Sequence, residues 1–424
     1  MVSMAAWATA AVVACCVTSV SGQERLDAPV LVFEDDIAPA QDCHARTMGH
    51  LDSMVPGAFA QSEYFDCFRP QDQVFAYLDA MAAKTVEATA HRVTIATFPI
   101  TTTVYDRVVP AYKLSTTTNS TKKSIYFQSG MHAREWISIT STVFTWASLV
   151  DAAVATTARS AMAKLLDKYD VVYVPIVNLD GYMHTWSSPT HRYHRKNMQF
   201  RSYDPLNNET NMTAGVDLNR NFGPTDDDNE DSLVYSGLYP FSEPEVQGIR
   251  AFVDSTQSAT NGAELAGVLD IHSYGGLILT PFGNSSTAPD HPFDVAFYKV
   301  GQDVQSALRR VDGGNYTAMQ AFDLYFAQGM FCDYVFATYH LPTLVIEIEG
   351  TDFRAPPASI RTRGREIAAA VVAFAQSLDG WAADTKRVAR PGNKAGLSSL
   401  AVPCYQTKLW SWCLGFLIVR GIGW

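Results

Sequence analysis

Two short runs carry side chains of the types and spacing that bind a metal ion. His132 and Glu135 stand three residues apart in the run GMHAREW, and His272 stands in the run DIHSY. Imidazole and carboxylate groups are good zinc ligands, and a catalytic zinc takes three protein ligands and leaves one position open. Either run alone is a weak signal, because a single histidine is more often hydrogen-bonded filler. Together they make His132, Glu135 and His272 candidate ligands of one zinc ion.

The elements that must position these side chains are two buried strands. Residues 124–128 and 265–271 are apolar runs of strand length, typical of strands buried on both faces. The run GMHAREW directly follows the first strand and opens a helix, whereas His272 comes at the end of the second. Because ligands of α/β sheets bind at the carboxyl ends of strands, we expect the two runs to meet at one sheet edge.

The rest of the chain continues this alternation of strands and helices. It predicts an α/β fold, a single domain with a mixed, largely parallel central sheet flanked by helices. Predicted strands are 93–98, 108–112, 124–128, 171–177, 265–271 and 342–348; predicted helices are 71–83, 137–149, 161–169, 242–252 (opened by a capping box of Ser242 and Glu245), 292–311 and 360–378.

Several further runs, in a fixed order, carry a family resemblance. The runs GMHAREW, NLDGY, GVDLNRNF, PFSEPE, DIHSYGG, LYFAQG and VIEIEG resemble those of the M14 zinc carboxypeptidases of the pancreatic A/B type, across roughly residues 64 to 380. The resemblance implies a metallocarboxypeptidase that uses zinc to hydrolyse the C-terminal peptide bond of peptides and proteins. It also implies that His132, Glu135 and His272 are the zinc ligands.

The resemblance further implies a role for each of several polar residues. Asp217 would orient His132, Asn219 and Arg220 would hold the substrate's terminal carboxylate, and Tyr325 would close over it. Arg134 would serve a subsite further along the peptide. Glu347 would act as the catalytic base and acid. Glu349 has the same strand parity as Glu347, so periodicity does not separate them, and the match of VIEIEG favours Glu347.

The chain departs from the family pattern at two positions. Met198 stands where we expect an arginine that steadies the developing oxyanion, and loss of such a donor costs about 10²–10³ in rate. Either Arg195 or Arg201 substitutes for it, or the enzyme is slow. Cys332 stands where an acidic residue selects basic side chains. A neutral residue there predicts a preference for apolar C-terminal residues.

Two other functions are compatible with the same residues. One is a catalytically impaired, zinc-binding pseudo-peptidase that only binds peptides, which Met198 favours and which the presence of Glu347 and Tyr325 opposes. The other is hydrolysis of small N-acyl amino acids, for which the carboxylate clamp would serve equally well. Substrate assays separate these alternatives.

Charge and composition limit the partners. The formal net charge of −11 argues against nucleic acid or an anionic membrane, because both are bound by basic surfaces. The family resemblance implies peptide or protein C-termini as partners, and we expect the protein to be a monomer with no stable membrane anchor.

The ends of the chain differ in pattern from its centre. Residues 1–22 read as a secretory signal peptide, since their apolar stretch is short for a membrane span. Residues 23–60 read as an N-terminal extension too short for an inhibitory prodomain, 61–383 as the zinc carboxypeptidase domain, and 384–424 as a tail, either irregular or a membrane or partner contact. Five N-x-S/T sites also indicate a secreted, extracellular protein: Asn119, Asn208, Asn211, Asn284 and Asn315.

The cysteines fit a sparsely bridged secreted enzyme. Cys15 and Cys16 lie in the predicted signal peptide. The remaining cysteines suggest two disulfides, one between Cys43 and Cys67 and one between Cys404 and Cys413, which leaves Cys332 alone.

Overall fold

The computed structural model describes residues 35–116, 122–155, 160–199, 215–225, 229–259 and 264–386. The predicted signal peptide, the asparagines at 119, 208 and 211, Arg201, the second predicted disulfide and nearly all of the predicted tail lie outside these ranges.

The described residues form one eight-stranded mixed sheet with the order β1-β2-β4-β3-β5-β8-β6-β7. Its central strands β4, β3, β5 and β8 are parallel to one another, and antiparallel pairs occur toward both ends. The α/β prediction with a mixed, largely parallel sheet is confirmed. The strands are β1 (Thr94–Thr102), β2 (Val108–Ser115), β3 (Ser124–Ser129), β4 (Asp170–Val174), β5 (Leu265–Ser273), β6 (Leu277–Thr280), β7 (Thr317–Gln320) and β8 (Thr343–Ile348).

Helices flank this sheet, and one hydrophobic core joins the two kinds of element. Short 3₁₀ turns lie between several of them. The helices are α1 (Ile37–Arg46), α2 (Gln71–Ala88), α3 (Trp136–Val154), α4 (Ala161–Lys168), α5 (Leu179–Thr185), α6 (Pro244–Gln257), α7 (Phe293–Arg310), α8 (Ala321–Leu324), α9 (Phe331–Tyr339) and α10 (Ile360–Thr385).

Helix α3 deserves separate description because it opens with the residue after Glu135. It is apolar enough on all sides to cross a membrane by length and composition, but 78% of its apolar window is buried inside the protein. A helix that is hydrophobic all round belongs in the core of a large protein or in a membrane, and its burial here favours the core. The sheet edge that carries His132 and Glu135 is therefore followed by a buried helix.

Most of the predicted elements are present, and the differences have local causes. Strands β6 and β7 were not predicted, because each has only four residues and no clear alternation. The predicted capping box at the start of α6 is wrong. Pro244 is the first helical residue, so Glu245 lies one position too early to reach back, and the Ser242 hydroxyl instead donates to Glu243 at 2.6 Å.

The described part of the predicted N-terminal extension packs against the domain. Phe59 is fully buried in the main core, and the predicted disulfide between Cys43 and Cys67 is present, with the two Cα atoms 5.9 Å apart. The described residues from Asp35 onward form one compact unit that includes the sheet. The segment is thus part of the folded unit and not an appendage.

Candidate active site

The three predicted zinc ligands converge at the carboxyl edge of the sheet. β3 and β5 are parallel neighbours, so the turn after β3, which carries His132, meets the end of β5, which carries His272. His132 Nδ1 lies 2.7 Å from Glu135 Oε1, and His272 Nδ1 lies 3.1 Å from Glu135 Oε2 and 3.0 Å from His132 Nδ1. Among the described residues, these three form the group of acidic, histidine or cysteine side chains that could hold a metal ion.

The outer nitrogens of both histidines face carboxylates. His132 Nε2 lies 3.1 Å from Asp217 Oδ1, and His272 Nε2 lies 2.9 Å from Asp270 Oδ2. A carboxylate on one ring nitrogen fixes the tautomer and leaves the other nitrogen free to bind a metal. The two Nδ1 atoms therefore face each other, and a cation bound between them would stabilise this arrangement. Both the donor set and its outer partners fit zinc.

Asp217 links this group to a buried arginine. Its Oδ2 accepts hydrogen bonds from Arg195 Nε at 3.0 Å and Nη2 at 2.7 Å, and its Oδ1 accepts the backbone N–H of Asn219 at 3.0 Å. Burial alone would raise the pKa of Asp217, but Arg195 and His132 hold it well below its usual value. Two residues, Arg195 and Arg201, were predicted as substitutes for the missing oxyanion arginine. Arg195 lies at the site, and Arg201 is outside the described residues. Met198, which stands at the expected arginine position, is buried.

The two competing glutamates, Glu347 on β8 and Glu349 just after it, have different surroundings. Glu347 pairs in register with His272 on β5 and is half-buried. Burial raises the pKa of Glu347 to about 7, although His272 and Arg195 each lower it. Glu349 follows the end of β8, and its Oε2 accepts a hydrogen bond from Arg363 Nη1 at 2.7 Å. Glu347 thus lies beside the candidate ligands, and Glu349 is paired elsewhere.

The predicted carboxylate clamp lies next to the ligand group. Arg220 Nη2 donates to the Tyr325 hydroxyl at 2.9 Å, and its Nη1 donates to the carbonyl of Asn219 at 2.7 Å. Asn219 is buried, with its Oδ1 accepting the backbone N–H of Phe331 and its Nδ2 lying 3.3 Å from His272 Nε2. Tyr325 is 51% exposed, although its hydroxyl contacts Arg220.

Arg134 stands on the other side of the ligand group. Its guanidinium lies 3.9 Å from the centroid of the Phe353 ring, and the edge of the Tyr274 ring contacts the same phenyl group. Burial and the nearby Arg195 lower the pKa of Arg134 to about 10. The three side chains form one wall of the site.

Cys332 lies in a small apolar cluster, separate from the main core. The Cys332 thiol is buried, forms no disulfide among the described residues, and has a pKa raised by burial. The cluster adjoins the site, because Val345 lies on β8 two residues before Glu347 and pairs with Leu279 on β6. Its buried members are Leu279, Ala321, Ala327, Met330, Cys332 and Val345, with Leu277 and Met319 packed against them.

Residues 77–370, more than half of the chain, match the family of zinc carboxypeptidases, Peptidase_M14. The chain belongs to this family. It is 28% identical over 283 residues to carboxypeptidase O of Bos taurus, covering 65% of this chain and 69% of that protein. It is also 32% identical over 223 residues to the inactive metallocarboxypeptidase ecm14 of Schizosaccharomyces pombe, covering 51% of this chain but 42% of that relative.

Solved structures share the fold at low sequence identity. Carboxypeptidase A from Helicoverpa armigera superposes with a TM-score of 0.64 at 22% identity, covering 81% of each chain. Thrombin-activatable fibrinolysis inhibitor superposes with a TM-score of 0.63 at 22% identity, covering 79% of this chain and 83% of that one. These similarities support the zinc carboxypeptidase fold.

The structure adds site residues that were not predicted from the sequence. Asp270 backs His272 much as Asp217 backs His132, and its position two residues earlier on the same strand was an available signal. Asp36 and Arg192, which hold the backbone around Arg134, were not predicted. Asp36 lies ahead of the family match, so no motif pointed to it.

Proposed function

We propose that this protein is a zinc-dependent exopeptidase that hydrolyses the C-terminal peptide bond of peptides and proteins, with a preference for apolar terminal residues. The observation that carries the proposal is the pairing of Glu347 with His272 in neighbouring strands. It sets a half-buried carboxyl beside a three-ligand group that fits zinc.

The roles of the chain's own residues follow from their contacts. Zinc held by His132, Glu135 and His272 would polarise the scissile carbonyl and promote ionisation of the attacking water. Glu347, whose pKa lies near neutrality, accepts the proton of that water and delivers it to the departing amine. Arg195, whose charge acts on Glu347 and which is bound to Asp217, would steady charge that develops on the carbonyl oxygen.

Exopeptidase selectivity comes from the clamp. The Arg220 guanidinium binds the terminal carboxylate with parallel N–H groups, and Tyr325 covers it. An internal peptide bond would leave a buried guanidinium without its anion, which is a costly mismatch. The terminal side chain would enter the apolar cluster around Cys332, whose members carry no charge to pair with a lysine or arginine. The neighbouring carboxyl of Asp333 accepts the backbone N–H of Gly283 at 2.9 Å, and burial raises its pKa to about 7.

One assay tests the proposal. Bound zinc is counted in the wild-type protein and in His272→Ala, and N-blocked peptides ending in Phe, Leu, Lys or Glu are incubated with and without a chelator. We expect one zinc per chain, chelator-sensitive release of Leu or Phe, and near-complete loss of zinc from His272→Ala. Stoichiometric zinc in that variant would overturn the ligand assignment, and faster release of Lys would overturn the apolar preference.

A peptide-binding protein without activity is the second candidate, favoured by Met198 and by the relatives that are named inactive. It predicts stoichiometric zinc and peptide binding with no release of the terminal residue. The retained Glu347 and the Arg195–Asp217 pair favour activity, because a binder needs no proton carrier.

We also propose that the protein acts as a secreted, extracellular monomer. The disulfide between Cys43 and Cys67 supports an oxidising compartment, and Asn284 and Asn315 are exposed in N-x-S/T sites. Protein recovered from the medium of a eukaryotic host should lose mass on glycosidase treatment; retention inside the cell without glycans would contradict the proposal.

A further inference from the structure

Asp36, just ahead of α1, bridges two arginines from distant parts of the chain. Its carboxylate accepts hydrogen bonds from Arg192 Nε at 2.9 Å and from Arg354 Nε at 2.9 Å and Nη2 at 2.6 Å. The Arg192 side chain is only 2% exposed. A guanidinium buried to that extent needs a partner, because breaking a buried ion pair is strongly destabilising.

Arg192 carries the connection from Asp36 to the active site. Its Nη1 donates to the carbonyl of Arg134 at 2.7 Å, and its Nη2 donates to the carbonyl of Phe353 at 2.9 Å. Its guanidinium also stacks on the Trp136 ring at 4.0 Å. The guanidinium thus joins the backbone of the zinc-ligand loop to the backbone of the segment that follows β8.

The two backbone segments present the stacked pair of Arg134 and Phe353. Arg192 holds both of their carbonyls, and Arg354, the residue after Phe353, is held by Asp36 directly. The stacking distance of 3.9 Å between the Arg134 guanidinium and the Phe353 ring therefore depends on a carboxylate outside the family's motifs.

We infer that Asp36 is a positioning residue for the peptide-binding wall formed by Arg134 and Phe353, so that it sets affinity for residues ahead of the bond that is cut. The inference rests on the proposed function. Without the Asp36 charge, Arg192 and Arg354 lose their shared anion and the two segments can shift apart. A substrate too short to reach the wall would not sense the shift, whereas a longer peptide would.

An ion pair that only stabilises the fold would not change affinity for long peptides selectively. The same N-terminal region contains such a pair, which serves as a control. Asp66 accepts a hydrogen bond from Arg361 Nη2 at 2.8 Å and ties the N-terminal region to α10. This pair links the N-terminal region to α10 and lies in a more exposed position, since the Asp66 side chain is 47% exposed and that of Asp36 is 20% exposed. Asp66→Asn therefore removes an equivalent charge without touching the wall.

The experiment compares wild-type protein, Asp36→Asn and Asp66→Asn on an N-blocked tetrapeptide and on the N-blocked dipeptide made of its last two residues. We expect Asp36→Asn to raise KM for the tetrapeptide about tenfold with kcat nearly unchanged, and to change KM for the dipeptide less than about twofold. Asp36→Glu should restore part of the loss. Equal effects on both substrates, or the same pattern in Asp66→Asn, would overturn the inference.

Two further measurements test the role of Asp36 even if Asp36→Asn does not fold or the protein shows no turnover. Arg354→Gln leaves the Asp36–Arg192 pair intact and removes only the direct link from Asp36 to the segment after β8. It should therefore raise KM for the tetrapeptide alone, by less than Asp36→Asn does, and it takes the place of Asp36→Asn if that variant fails to fold or to bind zinc. The Kd of both peptides is also measured by calorimetry on Glu347→Gln, with and without Asp36→Asn, so that no turnover is needed. Absence of turnover in the wild type would count against the proposed function alone, and an unchanged tetrapeptide Kd would count against the role of Asp36.

Discussion

The zinc-ligand group and the apolar cluster lie side by side along β8, and they are built in opposite ways. His132, Glu135 and His272 are held by charged and polar partners, with Asp217 and Asp270 behind the two rings. The apolar cluster contains no ionised side chain and is held together by packing. Substitution of any of these polar side chains is costly, because each removed partner leaves a buried donor or acceptor without a hydrogen bond.

Packing in the apolar cluster, by contrast, can change in small steps. A large-to-small substitution alters volume and affinity without disturbing any charge. Under the proposed function, the reaction and the choice of terminal residue are therefore separable in this chain. Substitutions at the zinc side should abolish turnover on every substrate, and substitutions in the apolar cluster should redistribute turnover among substrates.

The largest change in kcat is expected for a substitution beside the zinc-ligand group. Glu347→Gln keeps the shape of the side chain and removes its ability to carry a proton. General acid–base catalysis contributes about 10²–10⁴-fold, and we expect kcat to fall by an amount in the upper part of that range on all peptides. Zinc content and peptide affinity should be nearly unchanged.

Glu349→Gln is the matched control for this prediction. Glu349 is two residues away on the same chain but paired with Arg363, so its loss should change thermal stability slightly and kcat little. If Glu349→Gln is the inactive variant and Glu347→Gln retains turnover, the proton carrier has been misassigned.

A second, smaller effect is expected at Arg195. Arg195→Met removes the cation beside Asp217 and Glu347, and loss of one oxyanion donor costs about 10²–10³ in kcat. Lys196→Met is the control, because Lys196 is a buried cation that donates to the carbonyls of Glu230 and Ser232. Wild-type kcat in Arg195→Met would show that another group stabilises the oxyanion.

The sequence predicted that the three candidate zinc ligands meet at one sheet edge, for a physical reason. His132 and His272 follow apolar strand-length runs, and parallel strands bring their carboxyl ends together. The choice between Glu347 and Glu349 could not be made from parity. β8 ends at Ile348, so Glu349 leaves the sheet, and its partner Arg363 lies on a separate helix.

Contacts between distant segments were much harder to predict. Asp36 reaches Arg354 across 318 positions of sequence, and neither residue lies in a run with helical or strand periodicity. The same difficulty explains the wrong capping box at Ser242. The Glu245 carboxyl is instead drawn to Asn197, at 3.3 Å, in a buried cluster that no local pattern reveals.

The smallest expected effect tests the apolar side of the comparison at Met330. This side chain is 7% exposed, and its sulfur lies so close to Gly283 that a Cβ at that glycine would come within 2.5 Å of it. Met330 belongs to the same apolar cluster as Cys332, which the proposed function makes the site of the terminal side chain. We expect Met330→Ala to raise kcat/KM for peptides ending in Phe relative to those ending in Ala by about tenfold.

Met319→Ala separates this steric effect from general loosening of the apolar cluster. Met319 packs against the cluster from β7 and is only partly buried, so its truncation removes the same atoms from the periphery. We expect it to leave the Phe-to-Ala ratio within about twofold of the wild type, because each exposed methylene lost there changes little buried area. Because Met330 and Met319 belong to the apolar cluster and its edge, kcat on the best substrate should stay near the wild-type value in both variants. A uniform fall in kcat for Met330→Ala, with the ratio unchanged, would mean that reaction and substrate choice are not separable here.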